Sequence, residues 1–265
     1  MQTSVTGAAP GGVTGLRREI VGIDTRVPLL DGTERPYVFL DNAASTPALR
    51  GVLRAIEEFL PWYSGVHRGT GFKSVLATGV FDAAHDAIGR FVGADPSRTT
   101  VIFTKNTTEC INKVSNRFRF APGDVVITTV MEHHSNDLPW RKNARVVHCG
   151  TTPDGHPDLA AMKSAIAAAK GKLRLVAVSG ASNITGLCSP VHEIAGWAHQ
   201  AGAMIFVDAA QLAPHRPIDI LPNDDPRHID FLALSAHKMY APFGTGALVG
   251  PKEFFDAGDP DAVGG

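Results

Sequence analysis

FLALSAHKMYAPFGTGAL (Phe231–Leu248) begins as an apolar strand, stops at Ser235-Ala236-His237-Lys238 and then enters a glycine-rich turn. The hydrophobic run draws Lys238 to the edge of a core. Desolvation there favours the neutral amine, and a neutral lysine amine attacks aldehydes. Upstream, a second apolar run, AMIFVD (Ala203–Asp208), ends in an aspartate. A lysine to hold a pyridoxal aldehyde and an aspartate to charge the pyridine nitrogen are the pair that pyridoxal phosphate (PLP) chemistry needs.

Working outward, the chain alternates strand with helix. Short runs rich in Val, Ile and Phe, bounded by turn residues, predict strands at Val101–Thr104, Val125–Thr129, Arg145–His148, Leu173–Ser179, Ala203–Val207, Phe231–Leu234 and Gly246–Gly250. Helical periodicity covers Pro47–Leu60, Val75–Val92, Thr108–Arg117, Asp158–Ala169 and Pro190–Ala201. Seven strands with helices between them predict an α/β fold, a mostly parallel sheet with both faces covered. Ligands of such sheets bind beyond the carboxyl ends of the strands. Thr107-Thr108, Glu132-His133-His134, Ser182-Asn183, Asp208 and Ser235–Lys238 all fall there.

Bulk composition narrows the function classes. Of 265 residues, 44% are hydrophobic and 19% charged, the balance of an ordinary globular domain with a substantial core. A net charge of −1 without blocks of like charge points away from nucleic acid and anionic membranes, and no apolar run reaches the length of a membrane span. Met1–Gly15 is small, polar and Gly/Thr-rich, which predicts a disordered arm rather than a secretory signal. Cys110, Cys149 and Cys188 are far apart and match no metal or disulfide pattern, so a reducing cytoplasm is expected.

Seven segments together carry a family resemblance: FLDNAAST (Phe39–Thr46), GVHRGTG (Gly65–Gly71), FTKNTTECIN (Phe103–Asn112), MEHHSNDLPW (Met131–Trp140), SGASNITG (Ser179–Gly186), VDAAQLAPH (Val207–His215) and SAHKMYAPFGTG (Ser235–Gly246). In order and spacing they resemble the large domain of class V PLP-dependent aminotransferases, in the cysteine desulfurase and selenocysteine lyase branch. The resemblance implies a fold-type I large domain over residues 37–256. Residues 1–36 are then an arm and lead-in, and residues 257–265 begin the connection to a smaller C-terminal domain that this chain lacks.

The resemblance also implies roles. Lys238 is the Schiff-base lysine and Asp208 the partner of the ring nitrogen. Thr107, Thr108, Ser235 and His237 hold the phosphate, Gln211 contacts the phenolic oxygen, and His133 stacks on the ring as a catalytic plate. Asn183 lies between cofactor and substrate carboxylate, while Ala43, Ala44, His67 and Arg68 line the substrate side. Structural readings stand beside these: a snorkelling lysine, Asp208 and Thr107 or Thr108 as helix N-caps, and Arg68 as a surface ion-pair partner. The helix TGVFDAAHDAI (Thr78–Ile88) departs from the family pattern at Phe81 and His85, which suggests altered packing in a divergent subgroup.

The expected activity is a PLP-dependent reaction on a small amino-acid substrate, of cysteine desulfurase or selenocysteine lyase type. A homodimer and a sulfur acceptor protein are the expected partners. In the family, the carboxylate-binding arginine and the nucleophilic cysteine come from the smaller domain, and none of the three cysteines here inherits that role. The alternatives are another class V enzyme (aminotransferase, epimerase or β-lyase) and a catalytically silent, truncated PLP-binding protein.

Overall fold

In a computed structural model that describes residues 12–257, the chain forms two units: Met1–Thr78 with His237–Phe243, and Gly79–Ala236 with Gly244–Gly265. The first unit contains helix α1 (Gly12–Glu19), a two-stranded ribbon of β1 (Arg26–Pro28) and β2 (Glu34–Pro36), and helix α2 (Arg50–Phe59). Helix α3 (Phe72–Phe91) starts in the first unit and continues into the second.

The second unit continues with β3 (Thr99–Thr104), α4 (Thr107–Arg117), β4 (Val125–Thr129), α5 (Leu138–Asn143), β5 (Arg145–Cys149) and α6 (Leu159–Ala168). It is completed by β6 (Leu173–Ser179), α7 (Val191–Gln200), β7 (Met204–Asp208), β8 (Phe231–Ser235), β9 (Gly246–Pro251) and α8 (Lys252–Asp256). The sheet order is β3-β9-β8-β7-β6-β4-β5. Strand β9 is antiparallel to both β8 and β3, and the remaining pairings are parallel. Six strands therefore point the same way, and their carboxyl ends form one edge. All residues of β4, β8 and β9 are buried, as expected of strands covered on both faces. Phe118, Trp140, Phe206 and Phe231 fill the core between α4, α5 and the sheet with Ile111, Val114, Leu175 and Leu248.

All seven predicted strands are present, with ends shifted by up to two residues. Strand β3 starts at Thr99 rather than Val101 because its pairing with β9 runs back to Thr99↔Pro251. Helix α2 starts at Arg50 rather than Pro47, since Leu49 is extended and bridged to Ile20. The arm expected to be disordered through Gly15 is helical from Gly12, with Arg17 and Arg18 in the last turn where cations suit the helix dipole. Residues 1–11 and 258–265 lie outside the described residues, and with them most of the expected 257–265 connection. Among the described residues, no helix is long and apolar enough to cross a membrane.

Candidate cofactor site

Where β3 gives way to α4, the Asn106 side chain accepts from Glu109 N–H at 2.9 Å and caps the helix, a role expected of Thr107 or Thr108. The threonines are thereby released for other contacts. Buried Thr107 donates its backbone N–H to Ser235 Oγ at 2.9 Å, and the two hydroxyls lie 2.8 Å apart. The start of α4 is thus tied to the end of β8. Gly246 opens β9 beside this junction. A Cβ there would stand 2.8 Å from both Asn106 Cα and Leu234 O, so only glycine permits the approach.

The exposed Thr108 hydroxyl reaches Ser135 Oγ at 2.7 Å, and Ser135 in turn meets His133. Ser135 N–H points to His133 Nδ1 at 3.1 Å, which makes Nδ1 an acceptor and places the proton of the neutral ring on Nε2. Beneath this loop lies a polar network that the sequence reading did not assign. Glu132 accepts from Thr129 Oγ1 (2.6 Å), Asn136 Nδ2 (2.7 Å) and Ser179 Oγ (2.7 Å). Trp140 Nε1 donates to Asn136 Oδ1 at 3.1 Å. Burial pushes the Glu132 carboxyl up to about 7, against the downward pull of its hydrogen bonds from Thr129, Ser179 and Asn136. The four-residue spacing of Glu132, Asn136 and Trp140 was the available signal.

At the end of β7, Asp208 is buried and its Oδ1 accepts from Ala210 N–H at 2.9 Å. The following residues form turns rather than an α-helix, so Asp208 does not cap a helix. Gln211, also buried, follows in the same turn. Beyond β6, Asn183 is half-buried, next to Ser182, whose Oγ accepts from Ile184 and Thr185 N–H at 3.2 Å each. The donor set of this edge suits the cofactor at both extremes. Hydroxyls and backbone N–H groups at the head of α4 suit a phosphate, and the buried Asp208 carboxylate suits a cationic ring nitrogen.

His237 and Lys238, both half-buried, lie in the first unit within a 3-10 turn (Ala236–Lys238) that follows β8. His237 O accepts from Thr46 N–H and Thr46 Oγ1, each at 3.0 Å, and Thr46 Oγ1 accepts from Tyr240 N–H at 2.8 Å. Two of the recognised segments, FLDNAAST and SAHKMYAPFGTG, are thereby joined. Burial and the Lys238 charge lower the His237 pKa. Ala43 is half-buried and Ala44 exposed beside Thr46, while exposed His67 and Arg68 sit in the turn before α3. His67 takes a left-handed φ of 55°, and its N–H donates to Thr78 Oγ1 at 3.0 Å.

The unusual residues of α3 pack. Phe81 and His85 lie 5.5 and 4.4 Å from the Phe103 ring, centroid to centroid. The cysteines are poor nucleophiles where burial is deep. Desolvation pushes the Cys110 thiol up to about 12, with Asp208 adding to the effect, and it raises Cys149 as well.

The family model for aminotransferase class-V matches residues 38–265. A cysteine desulfurase of Haloferax volcanii is 38% identical over 89% of this chain and 56% of its own length. A probable cysteine desulfurase of Synechocystis is 39% identical over 87% of this chain and 55% of its own. The solved cysteine desulfurase of Thermococcus onnurineus superimposes with a TM-score of 0.82 at 31% identity, covering 98% of this chain and 61% of that one. An Escherichia coli cysteine desulfurase gives 0.75 at 31% identity, over 95% of this chain and 61% of that one. The chain spans little more than half the length of the curated relatives it matches. With its fold-type I sheet and matched family model, the chain belongs to the aminotransferase class-V family of PLP-dependent enzymes.

Proposed function

We propose that the chain is the cofactor-binding part of a PLP-dependent enzyme of cysteine desulfurase type, acting on an amino acid through Lys238. The observation that carries this reading is the buried Asp208 carboxylate at the end of β7, on the same sheet edge as the Thr107–Ser235 pair. When bound, PLP supplies an aldehyde for condensation with an amine and a ring that takes up electrons from the substrate carbon.

The residues of the chain do the rest. Lys238 would hold the cofactor covalently and Asp208 would keep its ring nitrogen protonated. Thr107, Thr108, Ser235 and His237 would bind the phosphate, and Gln211 the phenolic oxygen. His133, with its proton on Nε2, would lie against the ring and move protons at the substrate. Asn183, Ala43, Ala44, His67 and Arg68 would face the substrate. For a desulfurase, cysteine and an acceptor thiol go to alanine and a persulfide. Neither Cys110 nor Cys149 suits the acceptor thiol, since burial suppresses the thiolate of both. A homodimer and a sulfur-accepting protein fit this chemistry, as does a cytoplasmic location.

The test is to incubate the chain with PLP, reduce with borohydride and map the adduct by mass spectrometry. A pyridoxyl group on Lys238, absent in Lys238→Ala, is expected. Scattered labelling of surface lysines would refute the assignment. Alanine and persulfide formed from cysteine then select desulfuration. Amino-group transfer to a keto acid, or racemisation without sulfur release, would select another class V reaction.

A further inference from the structure

At the opposite edge of the sheet, two imidazoles and a carboxylate converge. His199 is in the last turn of α7, and His228 and Asp230 are in the loop that enters β8. His199 Nε2 lies 2.9 Å from Asp230 Oδ2, and His228 Nε2 lies 3.2 Å from Asp230 Oδ1. One ligand atom from each of the three residues fits within a 4.8 Å span. The other ring nitrogens are already committed. His199 Nδ1 donates to Pro226 O at 2.6 Å and His228 Nδ1 to Asp225 O at 2.8 Å. A carbonyl accepts only, so both neutral rings carry their proton on Nδ1 and aim a lone pair from Nε2.

Three electron-pair donors therefore face one another with no hydrogen between neutral partners. A single divalent ion between them satisfies all three donors and leaves both rings neutral, stacked as they are with centroids 4.3 Å apart. The surroundings are those of a metal site. Each imidazole donates its second N–H to a backbone carbonyl, and the carboxylate is oriented by a further bond from Ile205 N–H at 2.8 Å. Asp230 is mostly buried, with a side-chain exposure of 8% against 17% for each histidine.

We propose that His199, His228 and Asp230 bind a divalent transition-metal ion of the zinc class, with a water in the fourth position. Two imidazoles and a carboxylate are a ligand set that zinc accepts, and thiolate-seeking or all-oxygen ions are less suited to it. Strands β7 and β8 separate this site from Asp208 and Ser235, since it lies where those strands begin. It joins the end of α7 to the loop entering β8. The proposal does not depend on the reaction assigned to the other edge.

The test uses the full chain with PLP, stripped with chelator and titrated with zinc chloride. One equivalent of zinc per chain is expected, with X-ray absorption showing two imidazole nitrogens and oxygen at about 2.0–2.1 Å. At a hundredfold excess over Kd the melting temperature should rise by about 5–10 °C. A His199→Gln/His228→Gln variant should lose both the equivalent and the rise. Binding that persists in this variant would place the metal on other histidines and overturn the proposal. If the variant fails to fold, cobalt(II) in the unaltered chain decides. Intense visible bands of a four-coordinate ion support the site, and their absence, or no stoichiometric metal, means that protons alone occupy it.

Discussion

The hydroxyls of Thr107 and Ser235 lie 2.8 Å apart, and Thr107 N–H donates to the same serine oxygen. One residue opens α4 and the other closes β8, so a single contact fixes the head of a helix against a strand end. A helix start held this way presents its N–H groups to an anion without further ordering. Ser235→Ala removes a buried hydrogen-bonding partner, a loss of about 1–2 kcal/mol. PLP affinity should fall by roughly tenfold or more, read by absorbance titration. Unchanged affinity would separate this pair from the phosphate site.

Gly246→Ala tests the same junction from its other side. The added methyl would meet Asn106 Cα and Leu234 O, both backbone atoms without a rotamer to yield. Overpacking of this kind costs about 1–3 kcal/mol, and relief requires β9 to move from the α4 cap. Lower thermal stability together with weaker PLP binding is expected. A stability loss with unaltered binding would show that the junction yields elsewhere.

The sheet was legible because its strands are buried on both faces. VVITT and FLALS are continuous apolar or β-branched runs, and the polar residues that end them mark the ligand edge. Direction was not legible. Antiparallel β9 is as fully buried as parallel β8, and burial writes the same pattern in both. The ribbon of β1 and β2 carries a proline in each strand and mostly exposed side chains, which leaves no alternation to read. Helix α5 is only six residues long, too short for a period. The site residues themselves came from motif order. Their supports Asn106 and Ser135 became visible only once the loops were folded, because each acts through a backbone or side-chain bond to a neighbour, whereas Glu132 left a signal in its four-residue spacing to Asn136.

Thiol reactivity should follow burial. At pH 8 a Cys110 thiol with a pKa of about 12 is ionised in only about one molecule in ten thousand. Cys188 is half-exposed ahead of α7, in a β-bridge with Ala181. Iodoacetamide on the native chain should modify Cys188 at least about a hundredfold faster than Cys110, as read by peptide mapping over time. Cys110→Ala should retain PLP binding and cost about 1–2 kcal/mol of stability from lost packing. Rapid alkylation of Cys110 would contradict its placement in the core.

Glu132 should make the chain less stable as pH rises. Burial lifts its carboxyl from an ordinary 4.5 to about 7 in the folded state. Below the lower value both folded and unfolded chains hold the proton, and the group contributes no difference. Between the two values the unfolded chain releases it while the folded chain keeps it. Folding then binds a proton, and stability falls with pH until the folded carboxyl ionises as well. At roughly 1.4 kcal/mol per pKa unit the loss over the whole range is at most ~3.5 kcal/mol. The groups whose pKa is lowered, such as Asp137 and Asp225, act with the opposite sign and at lower pH. Glu132→Gln keeps a neutral side chain of the same shape, and the Thr129 and Ser179 hydroxyls can turn to meet it. In urea denaturation at pH 5 and pH 8, the variant should gain on the wild type by up to ~3 kcal/mol between the two. Because Glu132 immediately precedes His133 beneath its loop, the same variant should hold PLP affinity, read by absorbance titration, more nearly constant over that range. A stability difference that stays flat with pH would show that Glu132 is ionised in the folded chain throughout.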